Sequence, residues 1–420
     1  MITLNLSDLK SAGSTIALLR DPYRFISRRA SELGADAFLT RLLLRPTTCM
    51  TGVEAAGVFY DPARFQRAGA APGALQKTLF GQGGVQGLDG EDHRQRKAMF
   101  LQIVQPDRVE ALAESVTRSW RRAVDDWEAV GRIQLYPRLQ ELLTLAVCEW
   151  AGVPLPAAEV EDRTRQLSAL FDEAGQIGVS HLRSRAARRA ADRWAAAVID
   201  HVRAGKLDPP PSSAAYVVAH HREPNGRPMA SRVAGVELLN VLRPTIATAV
   251  YITLVAHALD AHPAWRKRLA TGDGSEDTAF VEEVRRPYPF FPAVAAVVRE
   301  DFHWGGHLFV KGRRVLLDLY GTNHDNRYWI NPERFDPERF LGEEPDRFAF
   351  VPQGGGDPAA HHRCPGEPIA TRLMVVALDQ FVRHMTYTAV APSAPVDFGR
   401  LPALPTGGYP IRLVATGISA

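Results

Sequence analysis

The stretch Phe350-Val-Pro-Gln-Gly-Gly-Gly-Asp-Pro-Ala-Ala-His-His-Arg-Cys-Pro-Gly-Glu367 decides how the rest of the chain is read. It sets Cys364 directly before a helix-starting signal, because proline suits a first helical position and Pro365 stands there. Amides at a helix N-terminus point at such a sulfur and favour its anionic form. The glycines Gly354 to Gly356 let backbone approach a flat ligand closely, and Arg363 stands where it can meet a carboxylate. Three readings compete. Cys364 is a structural cysteine in a tight loop, the usual fate of a lone cysteine. It joins His361 and His362 in a zinc site. Or it is the thiolate ligand of a haem iron. Zinc is the weakest, since adjacent histidines do not easily both turn inward and the chain has no partner Cys-x-x-Cys.

Around this loop the composition is that of a soluble globular protein. Of 420 residues, 45% are hydrophobic and 23% charged, enough apolar surface to bury a large core. At about 150 residues per domain this length allows two or three domains, yet single large enzyme folds reach it. The net charge of +3, with no long basic block, gives no footprint for nucleic acid. The densest basic run, Arg183-Ser-Arg-Ala-Ala-Arg-Arg189, reads as a solvated helix face. Three cysteines, Cys49, Cys148 and Cys364, argue against a disulfide framework and for a reducing compartment. The N-terminal Met1-Ile-Thr-Leu-Asn-Leu-Ser lacks the basic start of a signal peptide. The longest apolar run is interrupted by Arg243, so no membrane span is expected. These features describe a cytoplasmic enzyme.

Upstream of the loop Leu207-Asp-Pro-Pro-Pro-Ser-Ser213 the pattern is mainly helical, as in Val109 to Trp120 and Leu139 to Trp150. Strand signals occur near Arg41 to Met50 and in His307-Leu-Phe-Val-Lys-Gly-Arg-Arg-Val-Leu-Leu317, where a Lys-Gly turn predicts a hairpin or consecutive strands. Helix returns at Pro368 to His384. The fold is therefore mainly α with minor β, with a long irregular segment late in the chain, where such segments are usually functional.

Two further motifs precede the cysteine: Glu283-Val-Arg-Arg286, and Trp329-Ile-Asn-Pro-Glu-Arg-Phe-Asp-Pro-Glu-Arg-Phe340. With the Cys364 loop, in this order, they resemble the cytochrome P450 superfamily of haem-thiolate enzymes. The resemblance implies a triangular helical prism with small β-sheets and haem b between a long distal helix and the Cys364 loop. It implies one haem-thiolate domain over 1–420, with a β-containing lobe at about 1–75 and a helical lobe at about 76–420. Cys364 is then the axial ligand of the iron, and Glu283, Arg286 and Arg339 form a structural cluster.

The long apolar run Leu239 to Leu259 would be the distal helix. Most members of the superfamily carry an acid followed by a threonine there, to relay protons. This chain has Arg243 and Pro244. Arginine stays charged and only donates, and proline has no side-chain donor. A cation in an apolar pocket asks for an anion, and the nearest acid on this helix, Glu237, lies six residues away on a different face. The anion either comes from a distant acid or arrives with the substrate. In the second reading a fatty-acid carboxylate docks on Arg243 and serves as the missing acid–base group for peroxide, while Pro244 kinks the helix and widens the pocket.

That pair, together with Phe59-Tyr-Asp, Thr78 to Gly90, His93-x-x-Arg-Lys97, Phe280 to Pro292, Leu317 to Asp325 and Gln353 to Asp357, is similar to the bacterial fatty-acid peroxygenases. These use hydrogen peroxide without a redox partner. The resemblance implies that Arg243, Pro244 and Gln86 are catalytic and that Leu79, Phe80, Phe290 and Ala293 line the acyl channel with Arg243 and Gln86. It implies that His93, Lys97, Arg67 and Arg363 meet the haem propionates. Each also has a plainer reading, as core or as an exposed polar side chain. Glutamine at position 86 goes with hydroxylation in this group and histidine with alkene formation, so α- and β-hydroxylation of long-chain fatty acids is expected, with minor alkene. Two departures stand out: His361 where a glycine is usual, and Pro287 where an aromatic is usual. A reductase-fed monooxygenase, a lipid-hydroperoxide isomerase or dehydratase, and a non-enzymatic haem protein are the alternatives. Chain length, the α to β ratio and the oligomeric state are not written in the sequence.

Overall fold

A helix that is apolar on every face can lie only inside a larger body. In the computed structural model, which describes residues 6–175, 178–392 and 394–414, the run Leu239 to Leu259 is the middle of the helix Ser231–Ala261. By length and hydropathy this helix would cross a bilayer, yet nearly all of it is buried inside the protein. It packs with Leu135–Ala151, Val160–Asp172, Val179–Arg203 and Glu367–Asp379 around the main core, to which Pro106–Val130 adds Leu112, Val116 and Trp120. The approach to Val179–Arg203 is close. A Cβ on Gly235 would stand 2.7 Å from the Ala196 backbone nitrogen, so only glycine lets these helices meet. The helix runs unbroken through Pro244, which has no N–H to offer the Asn240 carbonyl.

The small lobe is a five-stranded sheet in the order Ala37–Leu42, Arg45–Thr51, Arg314–Asp318, Ala293–Val298, Phe65–Gln66. Arg45–Thr51 pairs parallel with Arg314–Asp318, and the other neighbours are antiparallel. Two of the five strands come from beyond residue 290, so the β-containing lobe is not confined to the first 75 residues, as the sequence reading has it. Of the two forms expected for His307 to Leu317, the structure has consecutive strands, not a hairpin. His307–Phe309 pairs with Phe302–Trp304, while Arg314–Asp318 enters the large sheet. Gly312, at φ +78°, makes the turn between them, its N–H donating to the Val298 carbonyl at 2.9 Å.

The expected helices appear with longer bounds, Pro106–Val130 and Leu135–Ala151, and the last one ends at Asp379 in a single wide turn, Gln380–His384. Residues 207–213 form the expected connection, closed by the Ser213 hydroxyl, which accepts from Tyr216 N at 3.3 Å. Met1 to Asn5, where the absence of a leader was expected, lie outside the described residues.

Candidate active site

The Cys364 loop is held from both ends by buried charge. Glu367, in the first turn of the helix after the cysteine, accepts from Arg363 Nε at 2.6 Å and from Arg285 Nη2. Arg285 also donates to Glu282 at 2.5 Å, to Gln353 at 2.9 Å and to Thr371 at 2.9 Å, tying the preceding helix to both flanks of the loop. Burial pushes the Glu367 carboxyl up, but the two guanidiniums outweigh it and hold it below the usual range. The Cys364 N–H donates to the Gln353 carbonyl at 3.2 Å. Burial, then the Glu367 carboxylate, pushes the Cys364 thiol up, against the Gly366 N–H and the charges of Lys97 and Arg285. A cation bound at the sulfur would favour its thiolate.

The loop glycines serve close packing. A Cβ on Gly355 would stand 2.8 Å from Val351 Cγ1, and one on Gly356 would stand 2.5 Å from His361 Nδ1. The departure at His361 is absorbed in this way. Its ring folds over Gly356, and its Nδ1 accepts from the Asp357 N–H at 2.8 Å. Pro287 follows the end of the helix Asp277–Arg285, where a proline cannot obstruct it. Just before it, Glu283 and Arg286 pair in a fork at 2.8 and 2.9 Å, and Arg339 Nε approaches Glu283 at 3.6 Å. The expected structural cluster is assembled.

On one flank of the loop the helix Gly90–Ile103 brings His93 and Lys97 to one face, one turn apart. Lys97, 3% exposed, donates to the His361 carbonyl at 3.1 Å and to the Arg363 carbonyl. Burial lowers its ammonium to about 8, against the charges of Cys364 and Asp357. Arg67, 9% exposed, donates to the Ala295 carbonyl at 2.7 Å and lies 4.2 Å over the Phe59 ring. Neither side chain is ion-paired among the described residues. His93 stacks on His362 with ring centroids 3.9 Å apart, and burial together with Lys97 lowers it to about 4. Arg363, by contrast, already has Glu367.

Opposite this, Arg243 is 6% exposed and donates through Nη1 to the Leu79 carbonyl. Burial, then repulsion from Arg188, lowers its guanidinium to about 9. Glu237 is not its partner. That acid takes Arg96 at 2.5 Å and Asn240 Nδ2 at 2.7 Å, and Asn240 Nδ2 reaches Gln86 Oε1 at 3.3 Å. Leu79 and Phe80 lie on the single turn Gln76–Phe80, and Gln86 on Val85–Gly87. Thr245 beside the Arg-Pro pair bonds back to the Val241 carbonyl at 2.9 Å, and Thr248 to the Pro244 carbonyl at 3.4 Å, so both hydroxyls are spent on their own helix. Phe290 meets Tyr251 edge-on at 6.0 Å and donates its N–H to the Pro352 carbonyl at 3.1 Å, bridging the long helix and the segment that leads to the cysteine. Ala293 opens an extended strand directly after Pro292 and packs against the cluster of Ile26, Ala30, Phe38, Leu42 and Cys49 in the small lobe.

Sequence reasoning missed Arg96, Asn240, Arg188 and Arg285. The basic run around Arg188 reads as a solvated face, but Arg188 is 2% exposed. It sits at the helical interval from buried Ser184, Ala191 and Ala195, so the 3.6-residue period held the signal while the charge masked it.

Among the described residues no three His, Cys, Asp or Glu side chains converge on a metal site. A metal held through Cys364 must bring its other ligands with it, as porphyrin iron does. Lys97 and Arg67, buried beside the loop and not ion-paired among the described residues, suit the porphyrin's two carboxylates. On both counts the residues fit haem.

Comparison with known proteins gives a match to the cytochrome P450 family over residues 278–406. A variant of cytochrome P450SP alpha (CYP152B1) is 52% identical, with a TM-score of 0.93 over 95% of this chain and 98% of that one. Cytochrome P450EX alpha (CYP152N1), solved with myristic acid, is 40% identical, with a TM-score of 0.90 over 95% and 97%. A variant of cytochrome P450 OleT, solved with arachidonic acid, is 30% identical, with a TM-score of 0.92 over 96% and 97%.

Proposed function

The chain belongs to the cytochrome P450 superfamily, in its CYP152 branch, and from that premise we propose that it is a peroxygenase that uses hydrogen peroxide to hydroxylate long-chain fatty acids beside the carboxylate. The observation that carries this is Arg243: a guanidinium buried in the distal helix with no ion-pair partner among the described residues. The relatives solved with myristic and arachidonic acid support the substrate class.

Haem, bound through Cys364, supplies the activation of peroxide and the oxygen transfer. The protein's residues do the rest. Arg243 holds the substrate carboxylate, which restores the ion pair that burial demands. One carboxylate oxygen stays free to take and return the peroxide proton, the task that neither Thr245 nor Thr248 is free to perform. Leu79, Phe80 and Phe290 exclude water along the acyl chain. With the carboxylate fixed, only the first carbons can reach the reacting centre. Lys97 and Arg67 neutralise the propionates. Residues from 67 to 364 contribute, which supports a single functional domain over 1–420.

The test is direct. Ferric protein incubated with myristic acid and hydrogen peroxide, without reductase or NADPH, is expected to give α- and β-hydroxy acids by mass spectrometry. Product that forms only when a reductase system is added would sink the reading.

A further inference from the structure

The Leu79 carbonyl is shared by two buried arginines. Arg243 Nη1 donates to it from the long helix, and Arg188 Nη1 donates to it at 3.2 Å from the helix Val179–Arg203. Arg188 Nε also donates to Asp192 at 2.8 Å, an acid whose side chain is 29% exposed. Arg188 Nη2 is buried with no partner and lies flush against Gly81, where a Cβ would stand 2.6 Å from Val236 Cγ1 and on top of the guanidinium. One carbonyl thus serves two cations, and the pair has one acid between them. The local charge is +1, from Arg188, Arg243 and Asp192, so a single carboxylate balances it.

We propose that Arg188 is a positioning residue for fatty-acid binding: it drives Arg243 off the Leu79 carbonyl onto the substrate carboxylate. Like charges on one acceptor repel, and an arriving anion relieves the repulsion by drawing the freer cation away. Arg243 is the freer one, because Arg188 is also anchored by Asp192. The proposal rests on the fatty-acid reading of the same site.

The experiment compares, on the haem-loaded enzyme, calorimetric affinity for myristate and for its neutral analogue tetradecanol. Arg188→Gln is expected to weaken myristate by about tenfold, the effect of withdrawing one positive neighbour, with tetradecanol changed by less than about twofold. Arg188→Lys is expected to recover most of the loss. Asp192→Asn, a change near the surface, leaves Arg188 less neutralised and is expected to tighten myristate by about threefold. Equal loss for both ligands in Arg188→Gln would mark a merely structural role and overturn the proposal. Should Arg188→Gln fail to retain haem, an unchanged myristate preference in Asp192→Asn overturns it instead. A wild-type enzyme that prefers tetradecanol would sink the fatty-acid reading itself. A preference lost in Arg243→Ala but intact in the Arg188 and Asp192 variants would remove only the role of Arg188.

Discussion

Arg243 shows what a single buried charge fixes. Its guanidinium reaches a carbonyl but no carboxylate, and a fork of donors is what a carboxylate matches best. Arg243→Lys keeps the charge and loses the fork. Its kcat/KM for myristate is expected to fall by about tenfold or more, mostly in KM. A variant as good as wild type would show that the fork is not what binds. Gln86 acts differently. Its Oε1 faces Asn240, which Glu237 in turn orients, so its amide is fixed and cannot titrate. Gln86→His places a group that exchanges protons near neutrality at the same spot. The alkene share of the product is expected to rise several-fold by gas chromatography, and an unchanged share would remove Gln86 from product control. Arg243 was legible in the sequence because it breaks a local pattern, a charge in an apolar helix, whereas Gln86 was singled out only through the family resemblance. Asn240 and Glu237 were not legible as Gln86's support. Their link to it runs through side-chain geometry across 154 residues of sequence, which no periodicity encodes.

Among the elements, the loop that carries Cys364 depends on ionic ties more than on its own backbone. Glu367 lies between Arg285 and Arg363, and removing one member of a buried set leaves the others uncompensated. Glu367→Gln is expected to cost roughly 3–5 kcal/mol of stability. It should lower the melting temperature and speed loss of haem to an apo-globin acceptor. Haem loss at the wild-type rate would show that the loop holds its shape without this pair. The Glu283–Arg286–Arg339 cluster was readable because its members sit in recognisable short motifs. Arg285 was not, although it is adjacent, because its partner Glu367 lies 82 residues on. The long helix was readable in type and place, since apolarity on every face leaves it nowhere but the interior. Its tight seat against Val179–Arg203, through Gly235, needed the second helix to be seen.

At the scale of the whole molecule, the strands were harder to read than the helices for the same reason: pairing is long-range. The sheet joins Arg45–Thr51 to Arg314–Asp318, a contact that no local signal foretells, so the small lobe was assigned to the N-terminus alone. That junction also contributes to how stability depends on pH. Asp318 ends the inner strand, buried, accepting from Gly321 N at 2.8 Å and Thr51 Oγ1 at 3.3 Å. Burial raises its carboxyl to about 7 despite these bonds. Six residues on, His324 bonds through Nδ1 to the Tyr320 carbonyl at 2.8 Å, and burial lowers it to about 4. The signs are opposite. The folded Asp318 prefers its neutral form, so its contribution is complete below its ordinary value near 4 and is lost as pH rises towards 7. The folded His324 also prefers neutrality, so its contribution is complete above about 6.5 and is lost as pH falls towards 4. Between pH 4 and 7 the contributions of these two groups therefore offset one another. Asp318→Asn uncovers the histidine. The variant is expected to gain on wild type by up to about 4 kcal/mol as pH rises from 4 to 7, and no further above that. Denaturant titrations of both proteins across this range would read it, and a constant difference between them would mean that the buried carboxyl is charged throughout and that Gly321 and Thr51 outweigh its burial.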